Sequence, residues 1–470
     1  MRKLLILTLT ASLGACVAGP PPEFATPTPE LPQQYFFAAD TLTSAALADL
    51  MPNRDPAYTA LSQVALADAP SLAEALARVE AARAGARRAG AERLPSIGAD
   101  ASVTGLRSNP AQFGADVPGG IPFDTEQIRY AANLTASWDA DVFGRLKAQE
   151  RAAIARIDSA SASAQAVRIA LLAEIAGSVI DWRTLAARSS ALQQDVDAAT
   201  RLAALANSRE AAGIAPGFDR VRAEAAASQS RSRLAALQSE RARITGRLIT
   251  LTGQDAATVG AALAKAGPLT EAAAPPAALP SDLLSNRPDV AAAASELAAS
   301  DAELSAAARA RFPRITLSAV IGLLAFNPGD LFDEDSIVGS LAAGVTAPLV
   351  DFGRIEAEID GAAANKKAAF AAYRGAVFQA LGDAEAAYGL IAAADDEAAL
   401  AVKERDELER AARLADTRYR AGLANFLDVL EARRAADASG ERAAAALGRA
   451  ERARVLLWQA LGGEAATAAG

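Results

Sequence analysis

Few residues in this 470-residue chain are equipped for chemistry. There is no histidine, which excludes histidine-based acid/base work, histidine triads and most zinc sites. Cys16 is the only cysteine, so an intramolecular disulfide is impossible and any thiol chemistry belongs to one position. Neither a glycine-rich phosphate loop nor a nucleophile elbow occurs. Carboxylates remain, and they alone can do chemistry, but nothing points to an enzyme or a cofactor. Two of them stand out by position: Asp219 follows Gly213, and Asp428 follows Gly422, at the same spacing. Each suits the first turn of a helix, where a carboxylate stabilises the positive end of the helix dipole by about 0.3–1 kcal/mol.

The matching glycines and aspartates belong to a long internal repeat. Asp141-Val142-Phe143-Gly144-Arg145 recurs as Val350-Asp351-Phe352-Gly353-Arg354 at an offset of 209 (354 − 145), which also carries Gly213 onto Gly422 and Asp219 onto Asp428. Pro70, Pro95 and Ile97 recur as Pro288, Pro313 and Ile315 at an offset of 218 (288 − 70). The nine-residue difference (218 − 209) places extra chain between Ile97 and Phe143, where a surface loop tolerates it. One structural unit is therefore written twice, and the fold is expected to be quasi-symmetric.

Arg2 and Lys3 precede an apolar run from Leu4 to Leu13, too short to span a bilayer, which reads as a secretory signal. The run ends in Leu13-Gly14-Ala15-Cys16, similar to the lipobox of bacterial lipoproteins, whose cysteine is acylated and opens the mature chain. Val17 in place of an aspartate implies sorting to the outer membrane. Loss of Arg2 and Lys3 would take the net charge from −9 to −11 (−9 − 2), leaving no basic footprint for nucleic acid.

Beyond residue 15 no run of 18 or more apolar residues appears, so a spanning structure has to be β. Four segments alternate at period two. Ile97, Ala99, Ala101 and Val103 oppose Ser96, Asp100, Ser102 and Thr104, and Ala132, Leu134, Ala136 and Trp138 oppose Asn133, Thr135, Ser137 and Asp139. In the second repeat Ile315, Leu317, Ala319 and Ile321 oppose Thr316 and Ser318, and Leu341, Ala343, Val345 and Leu349 oppose Ser340 and Thr346. A half-buried soluble sheet shows the same alternation, but strands of about 10 residues also suit a tilted membrane crossing. Loops rich in Gly, Pro and Asp separate the partners at residues 108 to 128 and 326 to 336. Four strands cannot close a barrel, so a membrane role requires several copies, and three would supply twelve strands.

Long helices are expected from Arg145 to Ala211 and from Arg354 to Ala421, each on the order of 100 Å. Each ends at a glycine suited to the left-handed cap, Gly213 or Gly422. Returning helices run from Phe218 to Leu251 and from Phe426 to Leu461, with Pro216, Asp219, Asn425 and Asp428 as start signals. Shorter helices from Ala73 to Arg93 and from Val290 to Arg311 lead into the first strand of each pair. The organisation is a signal peptide (1–15), an anchor and extended connector (16–69), repeat one (70–252), an equatorial connector (253–287), repeat two (288–462) and a tail (463–470). Both proline-rich connectors are expected to be extended.

Asn286-Arg287-Pro288-Asp289, Phe312-Pro313, Asp351-Phe352-Gly353-Arg354, Tyr419-Arg420-Ala421-Gly422 and Phe426-Leu427-Asp428-Val429-Leu430-Glu431-Ala432 occur in an order and spacing that resemble the outer-membrane efflux proteins typified by TolC. The lipid-anchored members that serve resistance-nodulation-division pumps are the most similar group. The resemblance implies a mainly α fold with a membrane β-barrel: a homotrimer with a 12-stranded barrel in outer-membrane lipid and a periplasmic helical tunnel. A periplasmic adaptor and an inner-membrane transporter are the implied partners, and the implied function is a passive, gated duct for drugs or other solutes. It places a gate at Asp428, Glu431 and Tyr419, where three copies of the carboxylates form a negative constriction that attracts cations. Glu431 stands where a second aspartate is common, and Ala424 stands where TolC has a gating arginine. In repeat one Asp219 matches Asp428 but Arg222 replaces Glu431, so the two hairpins carry unequal charge. Gly213, Ile214, Gly422 and Leu423 are the implied adaptor-contacting tips. A type I protein-secretion duct uses the same scaffold, and a periplasmic coiled-coil scaffold without a barrel is the reading from another class.

Overall fold

The computed structural model describes residues 24–38, 46–107, 126–265, 267, 274–276 and 278–463. The signal peptide, Cys16 and the tail from residue 464 lie outside the described residues. The described residues fall into two compact units: one combines residues 24–27 with those of Glu80–Asp158 and Ala294–Ala371, the other those of Thr28–Val79 and Ser159–Ala293 with residues 372–463.

The first unit holds one antiparallel sheet of β1 (Ser96–Arg107), β2 (Glu126–Asp139), β3 (Arg314–Ala325) and β4 (Ile337–Thr346), in the order β1-β2-β3-β4. Ser137 pairs with Ser96 on one side and Ser318 on the other, and Thr316 pairs with Gly344. The alternation expected from sequence is present, yet β1 and β4 are exposed along their whole length, with Ile97, Val103, Leu341 and Val345 facing outward. Leu349 was expected to continue β4, but the strand stops at Thr346 because Pro348 cannot donate to the ladder. The β3–β4 loop is tightened by 3₁₀ turns at Pro328–Phe332 and Glu334–Ser336, whereas the β1–β2 loop, residues 108–125, lies outside the described residues.

The repeated strand-to-helix motif works as a cap. Asp141, at φ 45°, accepts hydrogen bonds from the N–H groups of Leu146 and Lys147, both at 2.8 Å. In the second copy Asp351 accepts from Ile355 at 2.9 Å and Gly353 at 3.2 Å, bonds that hold its carboxyl below the usual range. These anion caps satisfy otherwise orphaned donors at the start of each long helix.

Nine helices are described: α1 (Pro56–Asp68), α2 (Pro70–Ala91), α3 (Arg145–Ala211), α4 (Gly217–Thr252), α5 (Ala256–Leu263), α6 (Leu283–Asn286), α7 (Pro288–Arg309), α8 (Arg354–Arg420) and α9 (Phe426–Ala460). The two long helices have 67 residues each, as the repeat requires. An 18-residue window of α3 is apolar enough to cross a membrane by length and composition, but 56% of it is buried inside the fold, where its packing accounts for it.

The connectors are not simply extended, which corrects the sequence reading. Asp55 caps α1 by accepting from the Ala57 N–H at 2.8 Å, with Pro56 in the first turn, and Asp255 caps α5 by accepting from Thr258 at 2.7 Å. Both helices fold against the second unit's core, where Leu61, Val259 and Leu263 pack with Ile175, Val179, Leu248, Val377 and Leu457. Apolar stripes of eight to thirteen residues suffice for this once a large neighbouring surface is available. Arg183 locks α1 in place: it donates to both Asp55 carboxylate oxygens at 2.7 and 3.0 Å and to the carbonyls of Leu263 and Lys265.

The Asn286-Arg287-Pro288-Asp289 motif is a second buried clamp. Arg287 donates to Asp289 at 2.6 and 2.9 Å, to Asp383 at 3.0 Å and to the carbonyl of Ala460 at 3.0 Å. It thereby joins α7, α8 and α9 where the second repeat begins.

Candidate functional site: helix tips and open sheet edges

The tip of each hairpin is built from its glycine outward. Gly213 and Gly422 hold φ of 71° and 76°, the left-handed region that side chains avoid. Ile214 N–H reaches the Arg209 carbonyl at 2.9 Å and Gly213 N–H that of Glu210 at 2.8 Å; Leu423 N–H reaches Arg418 at 2.8 Å and Gly422 N–H reaches Tyr419 at 3.0 Å. Both tips are Schellman turns. They leave Ile214 and Leu423 at 68% and 70% exposure, apolar side chains presented at the ends of the hairpins.

Beneath the tips Tyr419 is buried with Phe426, Val429, Leu430, Ala206, Ala223 and Ala226. Its ring meets Phe426 edge-on at 6.1 Å and lies under the Arg209 guanidinium at 4.7 Å. Tyr419 thus ties α8 to α9 and α3 within one chain, and Ala424 packs half-buried against the same cluster. Asp428 and Asn425 form a reciprocal capping box, the Asp428 carboxylate accepting from Asn425 N–H at 3.2 Å and the Asn425 side chain accepting from Asp428 N–H at 2.9 Å. Asp428 and Glu431 are both exposed one turn apart on α9, and among the described residues no ion pair engages Glu431. At the corresponding place on α4, Arg222 lies over the Phe218 ring at 5.2 Å. The structure therefore brings Tyr419 and Asp428 to one turn, with Asp428 already serving as a helix cap.

Sequence reasoning missed a pair of carboxyls deeper in the hairpins. Asp437 of α9 hydrogen-bonds Asp195 of α3; burial, then that hydrogen bond and the Asp195 charge, push the Asp437 carboxyl up to about 8 against the pull of Arg433 and Arg233. A like-charged pair out of water keeps a proton that an exposed aspartate loses. Asp195 could have been found from spacing, since Leu192, Val196 and Ala199 beside it make a buried helical stripe. Its partner on α9 could not. Burial also raises Glu451 to about 7, and one of its carboxylate oxygens is buried without a hydrogen bond.

In the first unit, a groove of about 1040 Å³ is lined by Arg145, Arg156, Arg354, Glu303 and Glu358 among others. Arg156 pairs there with Glu303, Arg354 with Glu358 and Arg88 with Glu92, while Arg145 pairs with Asp139 outside the lining. The sheet offers different chemistry. Among the described residues its two outer strands have no strand beyond them, so a row of backbone donors and acceptors is open along β1 and another along β4.

Comparison with known proteins gives the architecture its context. Residues 61–254 and 279–463 match the outer membrane efflux protein family. The pyoverdine export outer membrane protein OpmQ of Pseudomonas aeruginosa is 30% identical over 468 residues, covering 98% of this chain and 97% of that relative. OprJ, an outer membrane protein of the same organism, is 30% identical over 91% of this chain and 88% of its own length. Among solved structures, the outer-membrane channel OprN superposes with a TM-score of 0.85 at 26% identity, covering 94% of this chain and 98% of that one. The open state of the Neisseria gonorrhoeae MtrE outer membrane channel superposes with a TM-score of 0.81 at 25% identity, covering 95% and 98%.

Proposed function

We propose a working arrangement from one premise: this chain belongs to the outer membrane efflux protein family and is the outer-membrane channel component of an efflux pump. It works as a homotrimer. The observation that carries this is the sheet, four strands with two open edges and exposed apolar side chains. Hydrocarbon offers no hydrogen bonds, so such edges are stable in a membrane only when paired. Three copies supply twelve strands, an even number within the range of outer-membrane barrels.

The periplasmic helices continue the passage, and the duct is passive. A periplasmic adaptor meets the tips at Gly213, Ile214, Gly422 and Leu423, and an inner-membrane transporter supplies the work. OpmQ is named for pyoverdine export and TtgI of Pseudomonas putida for toluene efflux, and two such different solutes on one scaffold support leaving solute choice to that transporter. Their names also favour efflux over type I secretion. Acylation of Cys16 anchors the amino terminus in the outer membrane. At the tunnel end, three copies of Asp428 and Glu431 make an acidic ring whose repulsion is relieved by opening. The test is direct: purified outer membranes should yield heat-modifiable trimers that conduct ions in planar bilayers. A stable monomer that leaves bilayers sealed overturns the arrangement.

A further inference from the structure

We infer that β4 of one copy pairs with β1 of the next in a register the chain already writes inside itself, and that this pairing seats Phe352 on Leu94 of the partner subunit. The inference rests on the trimer proposed above. Within one chain β2 pairs with β3, the second strand of repeat one against the first of repeat two. In a closed ring β4 meets the partner's β1, the second strand of repeat two against the first of repeat one. The relation is the same with the repeats exchanged, so every β2–β3 contact has a counterpart, found by adding 209 to the β2 residue and subtracting 218 from the β3 residue.

The observed contacts transfer directly. Ser137 opposite Ser318 becomes Thr346 opposite Asp100 of the partner subunit, and Leu134 opposite Ile321 becomes Ala343 opposite Val103 of the partner subunit. The Ala140 N–H donates to the Ile315 carbonyl at 3.0 Å, which becomes Leu349 donating to Ile97 of the partner subunit.

An independent condition tests that register. In an antiparallel ladder, alternate residues direct both backbone groups to one neighbour or the other. The Ala140–Ile315 bond directs odd-numbered β3 residues to β2, so even-numbered ones face β4. By the β3–β4 pairing, odd-numbered β4 residues, including Leu341, Ala343 and Val345, then face the open edge. The same reasoning through β1–β2 leaves Ile97, Ala99, Ala101 and Val103 facing the other open edge. The transferred register sets odd residues opposite odd residues, so each free donor or acceptor meets a free one. A slip of one residue would set each against a group already bonded. Pro348 falls at an even position, where its missing N–H costs the outer edge nothing while ending the pairing with β3.

The ring follows from the same mapping. Phe143, just after β2, stacks on Phe312, just before β3, with centroids 4.9 Å apart and planes 11° apart. Their counterparts are Phe352, just after β4, and Leu94, just before β1. Among the described residues of the single chain Phe352 is 99% exposed and Leu94 66%, two largely uncovered apolar side chains. Phe352 holds φ at 53°, which Phe143 does not share, so the seat is transferred by position in the repeat and not by backbone conformation.

Paired cysteines test the register in outer membranes. Even-numbered positions are non-hydrogen-bonded pairs with Cα atoms about 4.5 Å apart, within disulfide reach. D100C with T346C, and S102C with G344C, should oxidise to covalent trimers, while S102C with T346C, two residues out of register, should not; single-cysteine variants control for Cys16. Heat-modifiable trimers without either in-register link, or with the shifted link, overturn the register and leave the trimer standing. Absence of any trimer in the parent removes the reading beneath it. For the seat, Phe352→Ala and Leu94→Ala should each lower the temperature at which the trimer dissociates, and the double variant should lower it no further than the larger single effect. Fully additive lowering overturns the seat.

Discussion

Asp437→Asn should remove most of the pH dependence of stability that the Asp195–Asp437 pair imposes on the helical hairpins. The Asp437 carboxyl moves from its ordinary 3.8 to about 8 on folding. Below pH 4 both folded and unfolded chains hold the proton and the pair contributes nothing. Between about 4 and 8 the unfolded chain has lost a proton that the folded chain keeps, so stability falls as pH rises, by about 1.4 kcal/mol per pH unit for a whole proton. Above about 8 both forms are ionised and the loss is complete. From pH 5.5 to 7.5 the ceiling is about 2.7 kcal/mol, lowered by solvent screening at the partly exposed Asp437; the pull of Arg433 and Arg233 is already contained in the value of about 8. Asparagine has nearly the same shape, still hydrogen-bonds Asp195, and does not titrate. Urea unfolding in detergent followed by circular dichroism across this range should show the variant gaining on the parent as pH rises, with the two nearly equal at pH 4. Parallel curves across the range would refute a proton held between these helices.

Four further outcomes follow from the same geometry. Asp428→Ala with Glu431→Ala should raise single-channel conductance and weaken block by multivalent cations, and identical traces for variant and parent would remove the gate assignment. Gly422→Val places a β-branched residue at φ 76°, where no neighbouring atom obstructs its Cβ but the backbone itself is strained, so it should block pump assembly; unaltered drug resistance and adaptor crosslinking would count against this. Arg287→Met removes the partner that Asp289 and Asp383 share and leaves the Ala460 carbonyl unpaired by it; with the two carboxylates 42% and 39% exposed it should cost about 1–3 kcal/mol in urea unfolding, and no measurable loss would show that the clamp is dispensable. Cys16→Ser should abolish incorporation of radiolabelled palmitate, and retained label would place the acyl chain elsewhere.

The long elements were legible because local signals agreed with one another. α3 and α8 are proline-free, end at glycines that adopt the left-handed cap, and fall within a residue of their expected bounds. The four strands were legible from alternation, apart from the end of β4, where Pro348 counted for more than the apolar pattern through Leu349, and the start of β2, which opens at Glu126 inside the expected 108–128 loop. α1 and α5 were hidden by composition: prolines around them suggested extended chain, although Asp55-Pro56 is itself a cap followed by a favourable first helical residue. At the tips, the positions of Tyr419 and Asp428 were legible but their immediate partners were not. Arg209 under which Tyr419 lies is 210 residues away (419 − 209) in the chain, and Asp437 finds Asp195 across a similar gap. No sequence period encodes such pairings, because each depends on which hairpin face turns toward which.

The repeat explains why those non-local partners matter. Duplication gave the two hairpins equivalent tip turns, and both still use a glycine at positive φ with an exposed apolar residue after it. One turn further on they diverge: Arg222 covers Phe218 with its cation, whereas Glu431 stands free beside the Asp428 cap. A guanidinium resting on a ring of its own helix holds its place without a neighbour. In the proposed trimer Glu431 would face its own copies, which repel it, so that proposal assigns movement to repeat two and the fixed side to repeat one.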